Sequence, residues 1–116
     1  MIPTLDFAAL DTVPLRSAVT VPGLEHPSLL AVLTAAMPGV QHSRKSLRTE
    51  VDEHTLIDLL TGSAVRVLIS WDRQLGRTRT SIAEIGPRPL WDEVVAYLGE
   101  WERHSRTIPE HWGEQG

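Results

Sequence analysis

The side chains able to do acid–base or metal chemistry are spread thinly along this chain. Its histidines are His26, His42, His54, His104 and His111. A metal site needs imidazole or carboxylate ligands converging at about 2 Å, and no pair here has His-x-x-x-His or His-Glu-x-x-His spacing. The histidines read as exposed or hydrogen-bonded side chains. Carboxylates cluster at Glu50, Asp52 and Glu53 and again at Asp92 and Glu93. General acid–base work needs two such groups held in different environments around a cleft. The first group reads instead as a loop and a helix cap, the second as negative charge at a helix N-terminus. No Gly-x-Ser-x-Gly, Gly-x-Gly-x-x-Gly or Walker-type loop occurs. The absence of cysteine excludes disulfides and thiolate ligands. The expectation is a chain with no catalytic residue of its own, no metal site and no bound cofactor.

Surfaces offer more. Ser43-Arg44-Lys45-Ser46-Leu47-Arg48 is a basic stretch, and Trp71 with Arg73, Arg77 and Arg79 surrounds a second one. Arginine pairs carboxylates in fork geometry and tryptophan supplies apolar contact area. The candidate binding residues are therefore Arg44, Lys45, Arg48, Trp71, Arg73, Arg77 and Arg79, and an acidic, extended peptide is the ligand they suit, with an exposed strand edge adding backbone pairing. The competing reading is an ordinary hairpin with Trp71 in the core.

Composition bounds these ideas. The chain has 116 residues, enough for one domain with a real core. Its net charge of -4 argues against general nucleic-acid binding. That charge is uneven: residues 41–88 carry eight basic side chains against six acidic, and residues from 89 onward carry two against six. No apolar run approaches the roughly 20 residues of a membrane helix, and no basic-then-apolar start marks a signal peptide. A cytoplasmic protein without membrane or nucleic-acid partners is expected.

The elements that must position these residues are legible in part. Residues 1–16 read as a lead-in or linker with one helical turn at Asp6 to Leu10; 17–108 form the domain; 109–116 form a tail that can fold back through Trp112. Ser17 to Val21 alternates as a short strand before Pro22-Gly23. Apolar residues at helical spacing predict a helix over about 24–37, buried on most sides and ended by Pro38-Gly39. Residues 40–51 read as a strand and an exposed loop. Residues 52–61 read as a short helix, with Leu56, Leu59 and Leu60 on its face and Asp52 as cap. A hairpin follows: a β-branched strand from Ala64 to Trp71, a turn from Asp72 to Gly76, and a second strand from Arg77 to Ile85 that bulges or stops early. The last helix, about 88–105, carries the stripe Leu90, Val94, Leu98 and Trp101. The predicted class is α+β: a small antiparallel sheet packed against two main helices.

Several short segments carry a resemblance. They are Val19-Thr20-Val21-Pro22-Gly23-Leu24-Glu25, Leu29 to Leu33, Ala36-Met37-Pro38-Gly39, and Ile85-Gly86-Pro87 leading to a helix that ends Trp101-Glu102-Arg103-His104. In their order the chain resembles the C-terminal accessory domain of protein-L-isoaspartate O-methyltransferase-like (FxLD-type) enzymes of actinobacterial clusters that make lanthipeptides and graspetides. In that family an N-terminal domain binds S-adenosylmethionine and methylates an aspartate of a modified precursor peptide, and the C-terminal domain helps recognise the peptide. The methyltransferase domain is absent from this chain, so no catalytic or cofactor residue carries over. The resemblance implies a noncatalytic accessory domain, excised or free-standing, whose partner is a modified precursor peptide or a methyltransferase. The alternative is a small regulatory or immunity-type protein that binds a protein partner through its acidic last helix, and a stand-alone enzyme ranks last.

Overall fold

The computed structural model describes residues 7–18 and 27–103. Within them lie α1 (Phe7–Thr12), β1 (Arg16–Ala18), α2 (Pro27–Ala35), β2 (Gln41–Arg48), β3 (Val51–Asp58), β4 (Ser63–Asp72), β5 (Arg77–Ile85) and α3 (Leu90–Arg103). The strands form one antiparallel sheet in the order β1-β5-β4-β3-β2. The protein is α+β, with α2 and α3 packed on one face of the sheet.

Strand periodicity decides which residues meet those helices, because successive side chains point to opposite faces. Val65, Val67 and Ile69 of β4, Leu56 of β3 and Ile82 of β5 join Leu29, Leu30, Leu33 and Met37 from the α2 region and Leu90, Trp91, Val94, Leu98 and Trp101 of α3 in the main core. The α3 stripe is the one that the sequence predicts. The second face is covered at one end only. There Leu10 of α1 buries against Ala64 and Ala83, with Ile57 and Ile85 beside them.

Four expectations need correction. Residues 52–61 are not a helix: 51–58 are strand β3, paired with β2 and β4 along its length. Its inward positions are His54, Leu56 and Asp58, all buried, so two polar residues hide the period-two signal, while Leu59 and Leu60 lie exposed in the following turn. Asp52 therefore caps nothing; it accepts hydrogen bonds from Arg44 (3.1 Å) and Ser46 (2.9 Å). Next, the predicted exposed loop before β3 shrinks to a two-residue turn, Thr49-Glu50, and β2 is a full strand. Third, α2 is not buried on most sides: Ala31, Val32 and Ala35 face outward. Finally, β5 runs in unbroken register with β4 from Ile85 opposite Ala64 to Arg77 opposite Asp72, and the bulge lies in β2 between Ser46 and Arg48. Residues 1–6, 19–26 and 104–116 fall outside the described residues, and with them Asp6 of the predicted helical turn, positions 19–21 of the predicted first strand and the predicted tail around Trp112.

The end of the sheet opposite the β2–β3 and β4–β5 turns is fixed by a polar knot. Arg88 donates to Glu93 twice (2.7 Å each), to Asp58 (2.8 Å) and to the carbonyl of Pro38 (2.7 Å). It thereby ties the β5–α3 loop to β3, to the end of α2 and to the first turn of α3. The Arg88 guanidinium holds the buried Asp58 carboxyl below its ordinary range, the largest effect being their hydrogen bond. Glu84 accepts from the backbone N–H of Trp91 (3.0 Å), capping the α3 N-terminus.

Candidate functional site

Cross-strand pairing sorts the seven candidate binding residues, since residues directly opposite each other share a face. Lys45 lies opposite Glu53, Glu53 opposite Leu68, and Leu68 opposite Ser81. One row on, Arg48 lies opposite Val51, Val51 opposite Ser70, and Ser70 opposite Arg79; Arg77 pairs with Asp72 beyond. Lys45, Arg48, Arg77 and Arg79 therefore share the face that α2 and α3 do not cover, at the end beyond α1. Arg44 and Trp71 are on the opposite face, in the rows of His54–Val67 and Thr78. Arg73 sits in the β4–β5 turn. The structure thus gathers four of the seven and separates three.

Charge on the open face is only partly compensated. Arg66 reaches Asp11 of α1 (3.4 Å) and Glu53 (4.0 Å), and Arg79 lies 3.6 Å from Asp72. Among the described residues Lys45, Arg48 and Arg77 make no ion pair. Leu68, half-buried, lies between the β2 and β5 cations. Two basic clusters, Lys45 with Arg48 on β2 and Arg77 with Arg79 on β5, are separated by three strand spacings, or ~14 Å. β2 is also an edge of the described sheet, and its side chains are nearly all exposed.

The remaining candidates have structural partners. Arg73 forks onto the Glu50 carboxylate (3.0 and 3.1 Å), joining the β4–β5 turn to the β2–β3 turn. Glu50 has φ of 66°, an uncommon left-handed conformation for a residue with a Cβ. Arg44 is paired with Asp52. Trp71 is 45% exposed, so it is not a core residue.

One arrangement escaped the sequence reading. His42 Nε2 and His54 Nδ1 lie 2.8 Å apart, one ring donating and the other accepting, with centroids 5.1 Å apart. His54 is fully buried and its Nε2 has no partner. Burial first, and then the neighbouring His42, push its pKa down to about 4; burial and Arg44 lower that of His42. His42 lies opposite Leu56 and His54 opposite Arg44, so the two rings are diagonal neighbours on one face of the β2–β3 hairpin, and recognising that hairpin is the signal that would have brought them together. Among the described residues no group of three or more His, Asp and Glu side chains is placed to hold a metal ion, and no described helix is long and apolar enough to cross a membrane.

No protein-family model, curated protein or solved structure matches this chain.

Proposed function

We propose that this chain is a noncatalytic recognition domain that binds an extended acidic segment of a peptide or protein across its open basic sheet face. The observation that carries this reading is the collection of Lys45, Arg48, Arg77 and Arg79 on the one sheet face without α2 or α3. Lys45, Arg48 and Arg77, which make no ion pair among the described residues, can attract carboxylates and steer them from a distance. Leu68 gives an apolar floor between the clusters, and the β2 edge can add backbone pairing. Following the resemblance, the ligand is a modified precursor peptide, and the chain works in the cytoplasm beside a separate methyltransferase that holds S-adenosylmethionine. The chain itself supplies recognition and no chemical step. The acidic helix α3 is the weaker candidate surface, because Glu93 is committed to Arg88 and Glu100 to Arg103.

Calorimetric titration of a cyclised acidic precursor into the chain tests the reading, with the methyltransferase of the same cluster as a second titrant. Binding that weakens as salt rises is the expected outcome. If neither titrant binds at any salt concentration, the reading fails.

A further inference from the structure

The other edge of the sheet is incompletely paired. β1 pairs with β5 only from Arg16 opposite Ile82 to Ala18 opposite Thr80. Residues 83–85 of β5 therefore have no strand partner on that side among the described residues. Alternate residues of an antiparallel strand direct their N–H and C=O toward alternate neighbours. At least one residue among 83–85 thus presents an unmatched donor and acceptor pair at this edge. Among the described residues no backbone hydrogen bond from 13–15 closes over it. Val13, packed against the Leu10–Ala64–Ala83 cluster, and Pro14 form one wall, Pro87 and Pro89 form a rigid end, and a groove of about 410 Å³ remains beside residues 83–85. That volume lies within the range of small-ligand sites, roughly 300–1,000 Å³.

The groove also has a cation at one end. Arg16 lines it, and its side chain is 63% exposed. The nearest carboxylate, Glu84, is 3.6 Å away, and among the described residues Arg16 makes no hydrogen bond. A guanidinium carries five N–H donors in a fork that fits a carboxylate. Glu84 faces it through Oε1 alone, beyond hydrogen-bond distance, because Oε2 accepts from the Trp91 N–H at the start of α3, and the fork keeps donors to spare.

We propose that this groove takes the C-terminal end of a peptide as an added strand, with its terminal carboxylate on Arg16. The direction follows from the register. A strand laid antiparallel to 83–85 runs in the same sense as β1, so its last residue abuts Arg16. Small side chains, apolar or hydroxyl-bearing, suit the ligand's last positions, because Val13, Ala83, Ile85 and the prolines share the walls with Arg16, Glu84 and Arg88. The groove lies at the far end of β5 from Arg77 and Arg79 and at the opposite edge of the sheet from Lys45 and Arg48, and does not depend on them.

Binding of an N-acetylated, C-terminally free Ser-Val-Ile-Val peptide to the whole chain, followed by amide shifts in two-dimensional NMR, tests the proposal. The C-terminal amide of the same peptide and the Arg16→Gln variant are the comparisons. The expected result is shifts confined to 83–85 and the β1 residues, with both changes weakening binding roughly fivefold, as for loss of one exposed ion pair. Equal binding of acid and amide, indifference to Arg16→Gln, shifts centred on Lys45 and Arg48, or no shifts with millimolar peptide would each overturn it. Because the peptide carries no acidic side chain, failure here leaves the basic-face reading standing.

Discussion

At the scale of single residues, two positions hold the sheet and α3 together. Arg88 is largely buried among Asp58, Glu93 and the Pro38 carbonyl. Removing one partner from a buried ion pair leaves the others desolvated and uncompensated, so Arg88→Met is expected to cost about 3 kcal/mol in urea denaturation. Gly86 has φ of 89°, and an added Cβ would come within 2.5 Å of the Gly62 carbonyl and the Ser63 Cα. Both contacts are backbone, so Gly86→Ala should lower stability by about 2 kcal/mol or more, read as a fall in melting temperature. The His42–His54 pair sets a pH dependence. In the unfolded chain His54 takes a proton near its ordinary value of 6.5, whereas in the folded chain it does so at about 4. Between those values the unfolded state binds more protons, so stability is full above pH 6.5 and falls as the pH drops toward 4. Urea midpoints across this window should decline, and His54→Leu should flatten the decline. A second proton on the pair also breaks the ring–ring hydrogen bond, which needs one neutral acceptor.

At the scale of elements, the sequence is most readable where one face is uniformly apolar. The α3 stripe and the β4 alternation of Val65, Val67 and Ile69 both stand out for that reason. β3 fails the same test because its inward positions are His54, Leu56 and Asp58. Those polar side chains are tolerable only because His42 and Arg88 come from elsewhere to meet them, and no local pattern announces distant partners. The leucines that imitate a helix face separate cleanly in the structure, with Leu56 fully buried and Leu60 71% exposed. Leu56→Ala should therefore cost about 3 kcal/mol, while Leu60→Ser should change stability by under about 0.5 kcal/mol; a helix over 52–61 would make both costly. The candidate site was half legible for a related reason. Charge is visible in sequence, but which face it occupies depends on register. The β2 bulge between Ser46 and Arg48 puts Lys45 and Arg48 on the same side although they are three residues apart.

At the scale of the whole molecule, the two faces of the sheet have different tasks. One is closed by α2 and α3 and supplies the core. The other is sealed by α1 at one end and left basic at the end where the β2–β3 and β4–β5 turns lie. Arg73 and Glu50 join the β2–β3 and β4–β5 turns; in the proposed reading that link holds the cations of the open face in place for an extended ligand. The net charge of -4 means that attraction to acidic partners is local to this face and reverses elsewhere on the surface. Affinity there should fall with ionic strength over a Debye length of roughly 10 Å at 0.1 M salt. The most direct test is the affinity of an acidic precursor peptide for the wild-type chain, for a Lys45→Glu/Arg48→Glu double variant, and for a Glu100→Lys/Glu102→Lys double variant. An open-face recognition domain predicts loss of roughly tenfold or more in the first variant and little change in the second. Unchanged affinity in the first variant, or a loss confined to the second, would contradict it.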